Sequence, residues 1–121
     1  ATAAGKTNVE YFIRKFNLLA YFTRERIVYN DGTIAGKPAP DLFLEAMRRL
    51  GTEDRNTTVF EDSYAGIQAA ENAHAGNIII VNSNNESYPF AYKTIRHFDE
   101  VDRETDLTPP FRRAASGEPR G

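Results

Sequence analysis

Two adjacent acids and a hydroxyl, Glu61-Asp62-Ser63, follow directly on the β-prone run Thr57-Thr58-Val59-Phe60. In a parallel α/β sheet, ligands gather beyond the carboxyl ends of the strands, where loops meet helix N-termini. Hard oxygen donors in that place suit a Mg²⁺ ion that holds a phosphate. The same residues suit a structural task equally well: Asp62 or Ser63 capping the next helix, and Glu61 complementing its dipole. Upstream, Lys37 stands in a loop stiffened by Gly36 and Pro38. On that side of a sheet a lysine would neutralise a phosphate and orient a carboxylate, whereas a lone surface lysine does neither. A third signal, Asp31-Gly32-Thr33 after Ile27-Val28-Tyr29, spells the opening of a phosphotransferase site.

These groups need elements to hold them. Thr7 and Glu10 have capping-box spacing, and Val9, Phe12, Ile13 and Phe16 follow on one helical face, which predicts a helix over 8–17. Arg26 to Tyr29 reads as a short strand ending at the Asn30-Asp31-Gly32 turn. Phe43, Ala46, Met47 and Leu50 repeat the helical spacing between Pro40 and Gly51, suited to a first turn and a C-terminal cap. Thr57 to Phe60 forms a buried strand. Ala65, Ile67, Ala69 and Ala70 give the following helix a small, closely packable face, and Asn77-Ile78-Ile79-Ile80-Val81 is a further strand. Continuous apolar strands alternating with helices define an α/β protein with a parallel sheet covered by helices. Beyond this, a helical turn is expected within 89–96 and an edge strand within 95–101. Residues 1–107 form the folded unit. Proline, glycine and charge without periodicity mark 108–121 as a disordered tail, in which Arg112-Arg113-Ala114-Ala115-Ser116 imitates a basic-directed kinase site.

Composition narrows the partners. The chain has 121 residues, of which 40% are apolar and 12% aromatic, enough for one domain with a core. Fifteen basic against 17 acidic residues, with no basic run beyond a pair, leave no footprint for nucleic acid or an anionic membrane. A small ligand, bound with the help of an ion, fits better. Without cysteine there is no thiolate chemistry, disulfide or cysteine-bound zinc, and two distant histidines, His74 and His97, argue against a histidine-rich metal site. No apolar run reaches the roughly 20 residues of a membrane helix, and no signal pattern opens the chain, so a cytoplasmic protein is the expectation. The abrupt Ala1-Thr2-Ala3-Ala4 opening suggests truncation or processing.

Gly36-Lys37-Pro38-Ala39-Pro40-Asp41-Leu42-Phe43, followed after a helix by Val59-Phe60-Glu61-Asp62-Ser63-Tyr64-Ala65-Gly66-Ile67-Gln68-Ala69-Ala70, resembles the haloacid dehalogenase superfamily, most of all its β-phosphoglucomutase and sugar-phosphatase branch. Ala1-Thr2-Ala3-Ala4 is similar to the end of that family's second strand. The resemblance covers Ala1 to about Asp102 and implies a Rossmann-like core. It further implies that the Thr2 hydroxyl and Ala3 N–H bind the transferring phosphate, that Lys37 stabilises it and orients the nucleophile, and that Asp62, helped by Glu61, binds Mg²⁺. The substrate implied is a small phosphorylated metabolite.

The family's aspartate-x-aspartate nucleophile motif precedes the threonine motif. Asp31-Gly32-Thr33 imitates it in the wrong place, with Tyr29 where the attacking acid belongs, and is read as a turn. The first strand and the substrate-selecting cap have no counterpart in this sequence. The expectation is therefore the C-terminal part of an enzyme, inactive alone and prone to self-association or to pairing with a missing N-terminal half. Two rivals stand beside it: a non-catalytic interaction module, and a P-loop fragment ending in Gly5-Lys6-Thr7.

Overall fold

The computed structural model describes residues 1–111. Three strands, β1 (Thr58–Glu61), β2 (Asn77–Val81) and β3 (Lys93–Ile95), form one parallel sheet in the order β1-β2-β3. Helix α2 (Asp41–Leu50) precedes β1, and α3 (Tyr64–Asn72) makes the crossover from β1 to β2. Helix α1 (Lys6–Lys15) and the short α4 (Arg103–Asp106) stand at the two ends of the chain order. The expected α/β class with a helix-flanked parallel sheet is what the chain adopts.

β2 is the central strand, and Ile78, Ile79 and Ile80 are all buried although successive side chains point to opposite faces. Phe43 and Met47 of α2, Ile67, Ala69 and Ala70 of α3, and Val59, Ile78 and Ile80 of the sheet form the main core cluster. The small residues of α3 let it lie close to the strands, as their spacing predicts. Gly51 ends α2 in the left-handed conformation (φ +67°), where a side chain would be strained.

The differences from expectation lie outside this kernel. Helix α1 starts at Lys6, its cap residue Gly5 has no side-chain bond, and the Thr7/Glu10 capping box is not formed. Glu10 is instead paired with Arg24 at 2.7 Å. On α1 only Val9 and Ile13 are buried, while Phe12 and Phe16 meet at a tilt near the surface. The strand expected over Arg26–Tyr29 begins as a single 3₁₀ turn, Arg24–Arg26, and continues as an extended run without a sheet ladder. Two bonds, Thr2 N–H to Val28 O (2.8 Å) and Asn30 N–H to Ala4 O (3.1 Å), tie that run to the first residues of the chain, side by side and in the same direction. Near the other end the expected order is reversed. The strand is Lys93–Ile95, inside the range read as a helical turn, and Phe98–Glu100 forms a 3₁₀ turn where an edge strand was expected. Of the expected tail, residues 112–121 lie outside the described residues. No helix among the described residues is long and apolar enough to cross a membrane.

Candidate functional site

β1 delivers Glu61 to its carboxyl end, and the chain then turns through Asp62 and Ser63 into α3. Ser63 is the N-cap: its Oγ accepts from Gly66 N–H at 3.0 Å. Glu61 joins this cap, its Oε1 accepting from the N–H groups of Asp62 (3.1 Å) and Ser63 (3.3 Å) and from Ser63 Oγ (3.1 Å). Its second oxygen, Oε2, accepts from Lys37 Nζ at 2.8 Å. The pair is well shielded, with the side chains 16% and 8% exposed for Lys37 and Glu61. The capping expected of these residues is carried by Ser63, with Glu61 joined to it.

Lys37 owes its position to the loop around it. Ala39 N–H donates to Gly36 O (3.0 Å), the Lys37–Pro38 peptide is cis, and Asn72 of α3 donates from Nδ2 to Pro38 O (2.9 Å). The ammonium also lies 5.1 Å from the centre of the Phe43 ring, on α2. Three elements thus converge on one cation.

Burial on its own disfavours the Glu61 carboxylate. The Lys37 ammonium and the Asp62 amide outweigh it and hold the Glu61 pKa below the ordinary glutamate value. Asp62 moves the other way: burial, then the adjacent Glu61 carboxylate, raise it above the ordinary aspartate value. Asp62 has no ion pair among the described residues, and the Lys37 charge offsets its own only in small part, so it is the less compensated of the two. That makes it a fitting oxygen donor for a divalent cation, with Glu61 beside it. The fit is partial, because no third histidine, cysteine or acid completes a metal cluster among the described residues. Mg²⁺, if held here, would rest on Asp62 with help from Glu61.

The first residues of the chain run close by. The Ala1 amino group is lowered by burial and by the Lys37 charge, and raised in smaller part by Glu61, which puts it in electrostatic reach of both. Thr2 Oγ1 accepts from Ala4 N–H at 3.2 Å, an ordered turn, though no hydrogen bond joins Thr2 or Ala3 to Lys37 among the described residues. Asp31 is elsewhere. Its Oδ1 accepts from Thr33 N–H (2.8 Å) and Thr33 Oγ (2.6 Å), and it lines a separate cavity of about 310 Å³ with Tyr29, Glu10, Arg24 and Arg49. The Asp31 segment is a turn closed on itself.

Sequence reasoning missed one neighbour of the site. Tyr88 donates its hydroxyl to the Asp62 carbonyl at 2.6 Å. The loop that brings it there is closed by Asn82, which donates from Nδ2 to Glu86 O (2.7 Å) and accepts at Oδ1 from Glu86 N–H (2.7 Å). The Asn82-Ser83-Asn84-Asn85 run signalled a turn, but nothing in it pointed across the sheet end.

With this geometry in place, the comparisons decide the family. A profile of haloacid dehalogenase-like hydrolases matches residues 1–80. The chain belongs to that family. It is 35% identical over 75 residues to a phosphorylated carbohydrates phosphatase from Thermotoga maritima, covering 61% of this chain and 34% of that protein. A fructose-1-phosphate phosphatase from Escherichia coli is 36% identical over 72 residues, 60% of this chain and 37% of the relative. A β-phosphoglucomutase from Mycobacterium tuberculosis is 48% identical over 48 residues, 40% of this chain and 17% of the relative. A crystal structure of a haloacid dehalogenase hydrolase from Entamoeba histolytica superposes with a TM-score of 0.80 at 32% identity, covering 88% of this chain and 51% of the other. The chain thus spans about a third of the phosphatase relatives it matches. The family-level resemblance carried by Gly36 to Phe43 and Val59 to Ala70 is borne out, and so is the parallel α/β core.

Proposed function

We propose that this haloacid dehalogenase-like chain carries the phosphate- and cation-handling part of a Mg²⁺-dependent phosphohydrolase or phosphomutase. Its substrate class is a small phosphorylated metabolite such as a sugar phosphate, rather than nucleic acid or membrane. The observation that carries this reading is the shielded Lys37–Glu61 pair beside the less compensated Asp62, at the carboxyl end of a parallel strand. Phosphorylated-carbohydrate and fructose-1-phosphate phosphatases among the relatives support the substrate class.

In this reading the Thr2 hydroxyl and Ala3 N–H donate to phosphate oxygens. Lys37 offsets the charge that develops on the phosphoryl group and is itself held in line by Glu61. Asp62, helped by Glu61, holds Mg²⁺, which when bound supplies further charge neutralisation. No carboxylate among the described residues of this cluster is placed to attack, since Glu61 is bonded at both oxygens and Asp62 is assigned to the cation; Asp31, elsewhere, is closed into its turn. The attacking aspartate and its acid/base partner would come from residues outside these 121, so the chain alone binds phosphate weakly and turns nothing over. The outer edge of β1 is where such a segment, or a second copy, would pair.

The test is a phosphate titration in Mg²⁺ followed by NMR. The amide resonances of Thr2, Ala3 and Lys37 should move together, and Lys37→Met should abolish the response. Shifts clustered elsewhere, or turnover of a generic phosphate ester by this chain that Asp31→Asn abolishes, would overturn it.

A further inference from the structure

Tyr88 reaches the site from an element the proposed reaction does not use. Its ring packs against the core cluster, as does Phe90, which in turn stacks on Tyr92 (6.1 Å between ring centres) and meets Tyr64 at a tilt (5.2 Å). The ring is thus anchored by apolar contacts while the hydroxyl projects over the turn after β1. There it donates to the Asp62 main-chain carbonyl at 2.6 Å, a short bond, with Glu86 Oε2 standing 3.3 Å away. The loop on which Tyr88 rides is fixed at its start, since Asn82 closes it in both directions and its own N–H donates to Ile95 O at 2.7 Å in β3. β3 and the β2–β3 loop therefore hold the backbone of the one acid at the site that lacks a cationic partner.

We propose that Tyr88 is a positioning residue for the cation site, acting through the backbone of Asp62. The main chain of residue 62 is bonded at its N–H, which donates to Glu61, and the N–H of the next peptide, that of Ser63, donates to Glu61 as well. Tyr88 holds the Asp62 carbonyl, so that both backbone groups of residue 62 are fixed and the Cα–Cβ bond that aims its carboxylate is held in place. Without the phenol hydroxyl the carbonyl turns to solvent, the backbone of Asp62 gains freedom, and the cation meets a donor that must first be ordered. This rests on the proposed assignment of Asp62 as the cation ligand, and the experiment separates the two.

Mg²⁺ affinity is measured by calorimetry on the whole chain for wild type, Asp62→Asn, Tyr88→Phe and Phe90→Leu, with the unfolding midpoint and the Asp62 carbonyl ¹³C resonance of the metal-free forms. Asp62→Asn should remove binding. Tyr88→Phe should weaken it roughly tenfold, as loss of a bond behind a metal ligand does, move the Asp62 carbonyl resonance and leave the midpoint near wild type. Phe90→Leu loosens the same aromatic packing but keeps the hydroxyl, so it should lower the midpoint with little change in affinity. Absent binding in wild type, or unchanged binding in Asp62→Asn, overturns the cation-site assignment and this inference with it. Loss in Asp62→Asn with wild-type affinity in Tyr88→Phe overturns the inference alone. An affinity loss in Phe90→Leu that matches Tyr88→Phe also overturns it, because Tyr88 is then only part of the packing.

Discussion

The two ends of the sheet each carry a lysine paired with a shielded carboxylate, and their surroundings differ. At the carboxyl end of β1, Lys37 meets Glu61 at 2.8 Å. Beyond the far end of the strands, Lys93 meets Asp106 of α4 at 2.6 Å. Asp106 is enclosed: its Oδ2 also accepts from Asp102 N–H (2.8 Å), and its main-chain carbonyl accepts from Thr58 Oγ (2.5 Å) and Asn77 Nδ2 (3.0 Å). This knot ties α4 to β1, β2 and β3, and every charge in it has a partner. The Lys37–Glu61 pair is as well bonded, but a second acid, Asp62, stands beside it without an ion pair of its own among the described residues, and the Lys37 charge offsets it only in small part. A closed pair stabilises a fold, whereas the proposed cation site rests on the extra acid next to such a pair.

Removing Lys37 tests this most severely. Lys37→Met strands a Glu61 side chain that is 8% exposed, and loss of one partner of a buried pair costs about 3 kcal/mol; denaturant unfolding measures it. Asp106→Ala comes next. It removes two bonds to a charged group, yet leaves Lys93, 41% exposed, in contact with water, so about 2 kcal/mol is expected in the same assay. The reverse order of these two losses would break the comparison.

Asp62→Asn gives the smallest and most telling effect, of opposite sign. The folded-state pKa of Asp62 is raised, so the folded chain holds the proton more tightly than the unfolded chain does, and the charged form at neutral pH weakens the fold. Solvent still reaches this residue and screens its charge. The substitution should therefore stabilise the metal-free protein by less than about 1 kcal/mol at pH 7. The gain should fade as pH falls through the raised folded value and be gone below the ordinary aspartate value of about 3.9, where the unfolded carboxyl is protonated as well. Glu61 and Asp106 behave oppositely. Their pKa values are lowered in the folded chain, so their stabilisation is complete above the ordinary carboxylate range and is lost as pH falls through the folded values. Unfolding curves of wild type and Asp62→Asn from pH 7 to pH 3 separate the two signs.

The kernel of the fold was legible because its signals are redundant. The strand Asn77–Val81 lies where its uninterrupted apolar run put it, and α2 is bracketed by Pro40 and Gly51. Local grammar misled where a distant partner competed. The capping box of Thr7 and Glu10 is grammatical, but Arg24 takes the Glu10 carboxylate from 14 residues away. β3 is three residues long with two of them exposed, too short to show any alternation, and it exists because β2 offers it a ladder. At the site, residue types at strand ends exposed Lys37, Glu61 and Asp62, since their chemistry is carried by adjacent letters. Tyr88 was invisible for the opposite reason: its partner is a main-chain carbonyl 26 residues back, and a carbonyl has no letter of its own.

Position 66 offers a last consequence. A Cβ there would overlap the carboxyl group of Glu61, so α3 begins with a gap shaped to that side chain. In a library that randomises this turn, Gly66 is expected to survive selection as a single allele for as long as Glu61 is kept. Shortening Glu61 to alanine should release it to vary. The two positions would then be inherited as one character, and a change at either would be read in the other.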